Sequence, residues 1–347
     1  MPTYTHGGDV WDHPGVLDFS ANLHPLGMPQ AVSDAAREAV SQAVHYPDPT
    51  CRALREAIAA CCHLSPAQVI CGAGAADLIT RLCLALRPKT ALVTAPTFSE
   101  YEHALSAVGC AVRSFPLRAE NGFDLDESLL AHITPELDIV FLCTPNNPTG
   151  RCIPLPLVEA ILRRCEACGV RLVLDECFMA LTDRPDAAGL VAGHPLFFSL
   201  RAFTKTYAIP GLRLGYGLCA DGALLEGLYA AVQPWAVSCV AQAAGIAACG
   251  CPHWPEEGRA LLRTERPRLL AALRSLGLTV YEGEANYLLF RAAGREDLRE
   301  KLLGRGILIR ACGNYPGLSP DYYRVCVKTR EANDLLLTRL KEVLRHG

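Results

Sequence analysis

Phe198-Ser199-Leu200-Arg201-Ala202-Phe203-Thr204-Lys205, followed by Tyr207-Ala208-Ile209-Pro210-Gly211-Leu212-Arg213-Leu214-Gly215-Tyr216, is the stretch from which the fold is read. An apolar run ends in a lysine, and a Pro-Gly turn then brings back an arginine. Lys205 can form an imine with an aldehyde once desolvation and neighbouring cations lower its pKa. Ser199, Thr204 and Arg213 are spaced to gather around a phosphate. Surface lysines far outnumber reactive ones, so Lys205 gains meaning only from what the other strands deliver.

Outward from this stretch, short apolar runs alternate with amphipathic helical patterns. Ala91-Leu92-Val93, Ile139-Val140-Phe141-Leu142, Leu172-Val173-Leu174 and Phe197-Phe198-Ser199-Leu200 read as strands. Helices are expected near residues 52–63, 75–87, 98–108 and 154–168. The alternation predicts an α/β fold: a mainly parallel sheet covered by helices on both faces, three layers in αβα order. Ligands of such sheets sit beyond the carboxyl ends of the strands. Past residue 235 the texture changes to a long helix, about 255 to 276, then strands at Asn286 to Arg291, Ile307 to Arg310 and Tyr323 to Val327, and a closing helix. The expected organisation is an N-terminal segment, 1–40, packing on a small α+β domain or on the cleft, a large domain, 41–235, and the small domain, 236–347.

Three further strand ends are polar. Gly72-Ala73-Gly74-Ala75-Ala76-Asp77 follows Val69-Ile70-Cys71 and opens a helix, where free N–H groups suit a phosphate; it could equally be a packing turn. Thr144-Pro145-Asn146-Asn147-Pro148-Thr149-Gly150 is a rigid turn able to hold the Asn147 amide toward the cleft, or a simple Asn-Pro turn. Arg171 to Leu174 ends in Asp175-Glu176. A carboxylate there is costly without a cationic partner. A protonated pyridine nitrogen would serve Asp175, as would a helix cap or a salt bridge.

Taken in order and spacing, these features resemble the fold-type I pyridoxal-phosphate (PLP) enzymes, specifically the class I/II aminotransferase family, over about residues 15 to 340. The resemblance implies that Lys205 carries the cofactor covalently, Asp175 pairs with its pyridine nitrogen and Asn147 hydrogen-bonds its ring hydroxyl. It also implies that Phe98 stacks on the ring and that Gly74, Ala75, Ala76, Thr204 and Arg213 surround its phosphate. Family members are usually homodimers, and Tyr46 in His45-Tyr46-Pro47-Asp48 matches a residue that reaches the neighbouring subunit's cofactor phosphate. Phe178 departs from the pattern, standing where many members carry a tyrosine that also bonds the ring hydroxyl.

Two subfamilies compete: aminotransferases of histidinol phosphate and decarboxylases of L-threonine O-3-phosphate in cobalamin biosynthesis. His6-Gly7-Gly8-Asp9, Leu17 to Pro29, Ala285 to Leu289 and Ile307 to Leu318 resemble the second, with His24 and Ala73 as departures where a small amide and Asn are usual. Arg310 and Arg324 each end or interrupt an apolar strand, a position that rewards a carboxylate or phosphate partner, although a salt bridge would also satisfy either. With His6, Asn22 and Asn147 they are the candidate contacts to a small phosphorylated amino acid. A non-catalytic PLP-binding regulatory module is the remote alternative, and the chain has no room for a DNA-binding domain before Tyr46.

The composition agrees with an ordinary globular chain: 347 residues, half hydrophobic, a fifth charged, formal charge -3. No polyanionic partner is implied. No apolar stretch approaches a bilayer span, and the polar start Met1-Pro2-Thr3-Tyr4-Thr5-His6 lacks the features of a signal peptide, so a cytoplasmic location is expected. The seventeen cysteines lie mostly in apolar runs, where a thiol acts as a small hydrophobe. Cys165-x-x-Cys168 and Cys249-x-Cys251 lack the second ligand pair of a zinc site, so no metal is expected.

Overall fold

The computed structural model describes residues 6–345. In chain order its elements are β1 (Leu17–Asp18), α1 (Gln30–Ala39), α2 (Arg52–Cys62), β2 (Val69–Gly72), α3 (Ala75–Leu86), β3 (Thr90–Ala95), α4 (Glu100–Ala107) and β4 (Ala111–Pro116). There follow β5 (Ile139–Cys143), α5 (Leu155–Cys168), β6 (Arg171–Asp175), β7 (Phe197–Ala202), α6 (Phe203–Thr206), β8 (Gly215–Leu218), α7 (Gly222–Ala230) and α8 (Cys239–Cys249). The chain closes with α9 (His253–Ser275), β9 (Thr279–Val280), β10 (Tyr287–Arg291), α10 (Leu298–Leu303), β11 (Ile307–Leu308), β12 (Arg310–Ala311), β13 (Tyr322–Cys326) and α11 (Arg330–Arg345).

Seven strands form the main sheet in the order β2-β8-β7-β6-β5-β3-β4. Six run in one direction, and β8 alone is reversed, antiparallel to both of its neighbours. Strands β5 and β6 are buried at every position, as expected of parallel strands covered on both faces. One apolar cluster, with Leu142, Leu162 and Leu174, fills one side of the sheet; another, with Leu78, Tyr101 and Phe141, fills the other. Because the strands are parallel, β3, β5, β6 and β7 open at one edge, and the turns after them converge there.

A four-stranded antiparallel sheet, β12-β13-β10-β9, carries its own apolar cluster with α9 and α11. The N-terminal strand β1 pairs in parallel with β11, and Phe19 is buried in that second cluster. The expected strand from Ile307 to Arg310 is in fact two. Ile307 and Leu308 pair with β1, whereas Arg310 and Ala311 turn to pair with β13. An unbroken apolar run does not reveal such a change of partner. Helix α8 packs on α1 and α2, and Ala241, Ala244 and Ala248 belong to the main-sheet cluster.

Candidate active site

The convergent turns line a cavity of about 150 Å³. Lys205, in the short helix α6 directly after β7, lies in its wall together with Thr204 and Arg213. The Lys205 pKa is lowered, first by burial and then by the charge of Arg324 and, less strongly, of Arg213. Its ammonium stands 5.9 Å from the centroid of the Phe178 ring.

Asp175 ends β6 at the cavity and is 4% exposed. Its Oδ2 accepts from the Tyr101 hydroxyl at 2.6 Å and its Oδ1 from the Cys177 N–H at 3.0 Å. Burial raises its pKa, and those hydrogen bonds draw it back only in part. The next residue, Glu176, serves another cluster: it accepts from the Ala187 N–H at 2.8 Å, the Ser199 hydroxyl at 2.6 Å and Arg201 at 2.8 Å. Ser199 is therefore not a phosphate ligand, contrary to its spacing. It is fully buried and committed to Glu176, because adjacent residues of an extended chain point to opposite sides.

After β5 the proline-rich turn is held from within by Asn146, which donates to the Pro96 carbonyl at 3.0 Å and Thr149 Oγ1 at 2.9 Å and accepts from Thr97 at 2.8 Å. That leaves Asn147 on the cavity wall, its Oδ1 taken by Arg324 and approached by the Tyr315 hydroxyl at 3.4 Å. Opposite, Ala75 and Ala76 begin α3, and Gly74 precedes them at φ +96°. A Cβ on Gly74 would stand 2.6 Å from an Arg213 terminal nitrogen, so the glycine admits that guanidinium to the helix N-terminus. Phe98 also lines the cavity, edge-on to Tyr101 at 5.6 Å.

Arg324, on β13, reaches in from the small sheet. It is 5% exposed, donates to the Ser20 carbonyl at 2.7 Å, and keeps a buried Nε without a partner. Asn22 enters from the N-terminal segment, its Oδ1 also buried and unpartnered. Arg310 faces Arg324 in register across the β12–β13 ladder, yet it opens onto a second cavity of about 410 Å³ shared with His6, Ser20 and Asn314. His6 lies in this second cavity too, ion-paired with Glu100 at 3.0 Å. Among the described residues no carboxylate pairs with Arg310 or Arg324. Tyr46 lies outside both cavities, 81% exposed and packed at 4.7 Å on the Trp235 ring.

Sequence reasoning passed over Tyr101. Nothing in the sequence singles it out: Phe98 precedes α4, and the Tyr101 bond to Asp175 is made by tertiary packing.

An αβα sheet with a desolvated lysine, a buried carboxylate and a glycine-led helix N-terminus around one cavity defines a class: enzymes that hold an aromatic, phosphorylated cofactor at the carboxyl edge of a sheet. The profile of the family "Aminotransferase class I and II" matches residues 14–340, and the chain belongs to that family. Threonine-phosphate decarboxylase of Salmonella typhimurium is 39% identical over 98% of this chain and 96% of its own length. Histidinol-phosphate aminotransferase of Symbiobacterium thermophilum is 35% identical over 96% of this chain and 91% of its own. The crystal structure of the histidinol-phosphate aminotransferase from Clostridium acetobutylicum, 28% identical, superposes with a TM-score of 0.89 over 96% of this chain and all of that one.

Proposed function

We propose that this chain is a PLP-dependent carboxy-lyase that decarboxylates O-phospho-L-threonine or O-phospho-L-serine, giving aminopropanol or ethanolamine phosphate for the cobamide nucleotide loop. The observation that carries the reading is the pair Arg310 and Arg324: two buried guanidiniums in register, with no acidic partner among the described residues, Arg324 in the lysine cavity and Arg310 in the second. Buried positive charge without a partner is costly, and a doubly anionic ligand lying along both cavities would relieve it. The identity with a decarboxylase of threonine phosphate over nearly the whole chain supports the same substrate.

The cavity fits PLP on its own chemistry. Lys205 presents an amine of lowered pKa, Asp175 a carboxylate fixed at both oxygens, and Ala75, Ala76, Thr204 and Arg213 a set of donors for a phosphate. Gly74 makes room for Arg213, Phe98 would cover the ring, and Asn147 would donate to its hydroxyl. When bound, the cofactor supplies an electron sink for the pair left on Cα after a bond breaks. Asp175 would keep the ring nitrogen protonated, since a charged partner lowers the penalty on its own buried charge. Arg324, Arg310, His6 and Asn22 would grip the substrate anions and orient the amino acid so that its carboxylate, rather than its Cα hydrogen, is the group lost. Lys205 Nζ would return a proton to Cα.

The protein is proposed to act in the cytoplasm as a homodimer in which Tyr46, free of either cavity in its own chain, reaches the partner's cofactor phosphate. Among the described residues no helix is long and apolar enough to cross a membrane. A histidinol-phosphate-type aminotransferase is the competing reading, favoured by the similarity to that group in sequence and shape. Incubating the PLP-loaded protein with O-phospho-L-threonine and O-phospho-L-serine side by side decides between them. Carbon dioxide and the amino-alcohol phosphate are expected; stoichiometric keto acid with pyridoxamine phosphate would reject decarboxylation.

A further inference from the structure

His24 stands where the resemblance leads one to expect a small amide, and the fold has built a place for it. The side chain is 3% exposed and stacks on the Trp254 indole with centroids 5.1 Å apart. Its Nδ1 accepts the Leu26 N–H at 3.2 Å, which leaves Nε2 as the protonated nitrogen, donating to the Trp254 carbonyl at 3.0 Å. The Trp254 indole N–H returns a bond to the Gly27 carbonyl at 3.2 Å. Helix α9 carries Gly258 against the imidazole, where a Cβ would collide with His24 Nε2. Burial also lowers the pKa of the ring, although the Trp254 carbonyl and Glu257 act to raise it, so the neutral tautomer fits its bonds.

What this anchorage holds matters more than the anchorage itself. The His24 N–H donates to the Lys205 carbonyl at 3.0 Å, so the Lys205 backbone is tied to residues 17–28, an N-terminal strap. Two residues earlier Asn22 enters the lysine cavity, and four residues earlier the Ser20 carbonyl receives Arg324. Asn286 fixes the Leu23 carbonyl at 3.0 Å from the small sheet. The strap thus has one end on the arginine sheet and the other on α9, with the lysine between.

We propose that His24 is a positioning residue: by pinning the N-terminal strap to α9 and to the Lys205 backbone, it sets where Asn22 and the Ser20-bound Arg324 stand for the substrate. The part concerning substrate rests on the function proposed above; the pinning does not.

The test uses the PLP-loaded full chain and the variants His24→Ala, His24→Gln and Gly258→Ala. Gln can restore the donor to the Trp254 carbonyl, whereas Gly258→Ala displaces the imidazole without altering it. Amide exchange of residues 17–28, followed by mass spectrometry, should quicken about tenfold in His24→Ala and Gly258→Ala, the scale of one lost buried hydrogen bond, with β6 and β7 unchanged. His24→Gln should recover most of the protection. With O-phospho-L-threonine, KM should rise about tenfold in His24→Ala while kcat stays within about threefold, the pattern of weakened binding rather than impaired chemistry. If that compound is not turned over, the proposed substrate fails and the exchange data still judge the pinning. Unchanged exchange at 17–28 in both His24→Ala and Gly258→Ala would overturn the proposal, as would an equal rise in β6 and β7 or a fall in kcat with KM unmoved.

Discussion

Two clusters of buried charge meet different fates in this molecule. Glu176, Ser199, Arg201 and Asp186 form a set closed on itself, in which the Glu176 side chain is wholly buried and each of its oxygens has a donor. Arg324 and Arg310 each donate to one side-chain amide and one backbone carbonyl of their own, but no carboxylate among the described residues pairs with them, and Arg324 Nε and Asn22 Oδ1 stay unpartnered. A closed network stabilises the fold it sits in; an open one is held in place by the rest of the fold at a cost that a ligand can relieve. The same residue types therefore carry opposite meanings according to whether their partners are already present.

That contrast can be broken by substitution. Glu176→Ala should lower stability by about 3–5 kcal/mol in chemical denaturation, since it removes the buried carboxylate from Arg201, leaving it only the Asp186 carboxylate, and strands the Ala187 N–H and the Ser199 hydroxyl. A loss below about 1 kcal/mol would show that the cluster is not closed in solution. Arg324→Leu should behave otherwise: unfolding of the cofactor-free protein shifts by no more than about 1 kcal/mol, because the lost bonds to Asn147 and Ser20 offset the relief of removing an unpaired charge. Steady-state kinetics on the phosphorylated amino acid should show KM raised about 100-fold, the scale of a desolvated charged contact. The smallest effect concerns another closed cluster, Glu265 with Arg268, Arg330 and Asn333. Burial pushes the Glu265 pKa up, but the hydrogen bonds from Arg268, Asn333 and Arg330 outweigh it and bring it from 4.5 to about 2. Because the folded value is depressed, its stabilisation is present above the unfolded pKa and is lost as pH falls toward about 2. Glu265→Gln should cost about 2 kcal/mol at neutral pH, with the difference from the parent closing across that acid window in pH-dependent melting curves.

The sheet was legible because β5, β6 and β7 are short apolar runs, each ending in a polar turn, and position after a parallel strand is itself spatial information. Lys205, Thr204, Asp175, Asn147, Phe98, Ala75 and Ala76 come together in one cavity for that reason, and Arg213, Asn22 and Arg324 join them from other parts of the fold. Ser199 misled because spacing along a strand does not say which side a neighbour's carboxylate occupies. Arg310 and His6 open onto the second cavity because the chain switches pairing between Leu308 and Arg310, an event with no signature in an apolar run. Tyr101 was invisible because its role depends on a fully buried contact 74 residues away in sequence.

The pairing of β1 with β11 joins residues 17–18 to residues 307–308. A chain made from its N-terminus on a ribosome has its first strand waiting through almost the whole of synthesis for a neighbour. The large sheet can form meanwhile, but the wall contributed by Asn22 cannot. Closure of so distant a contact is slow and late, so the nascent protein acquires its lysine pocket in two instalments, the second only after residues 307–308, 290 positions after their partners, have emerged.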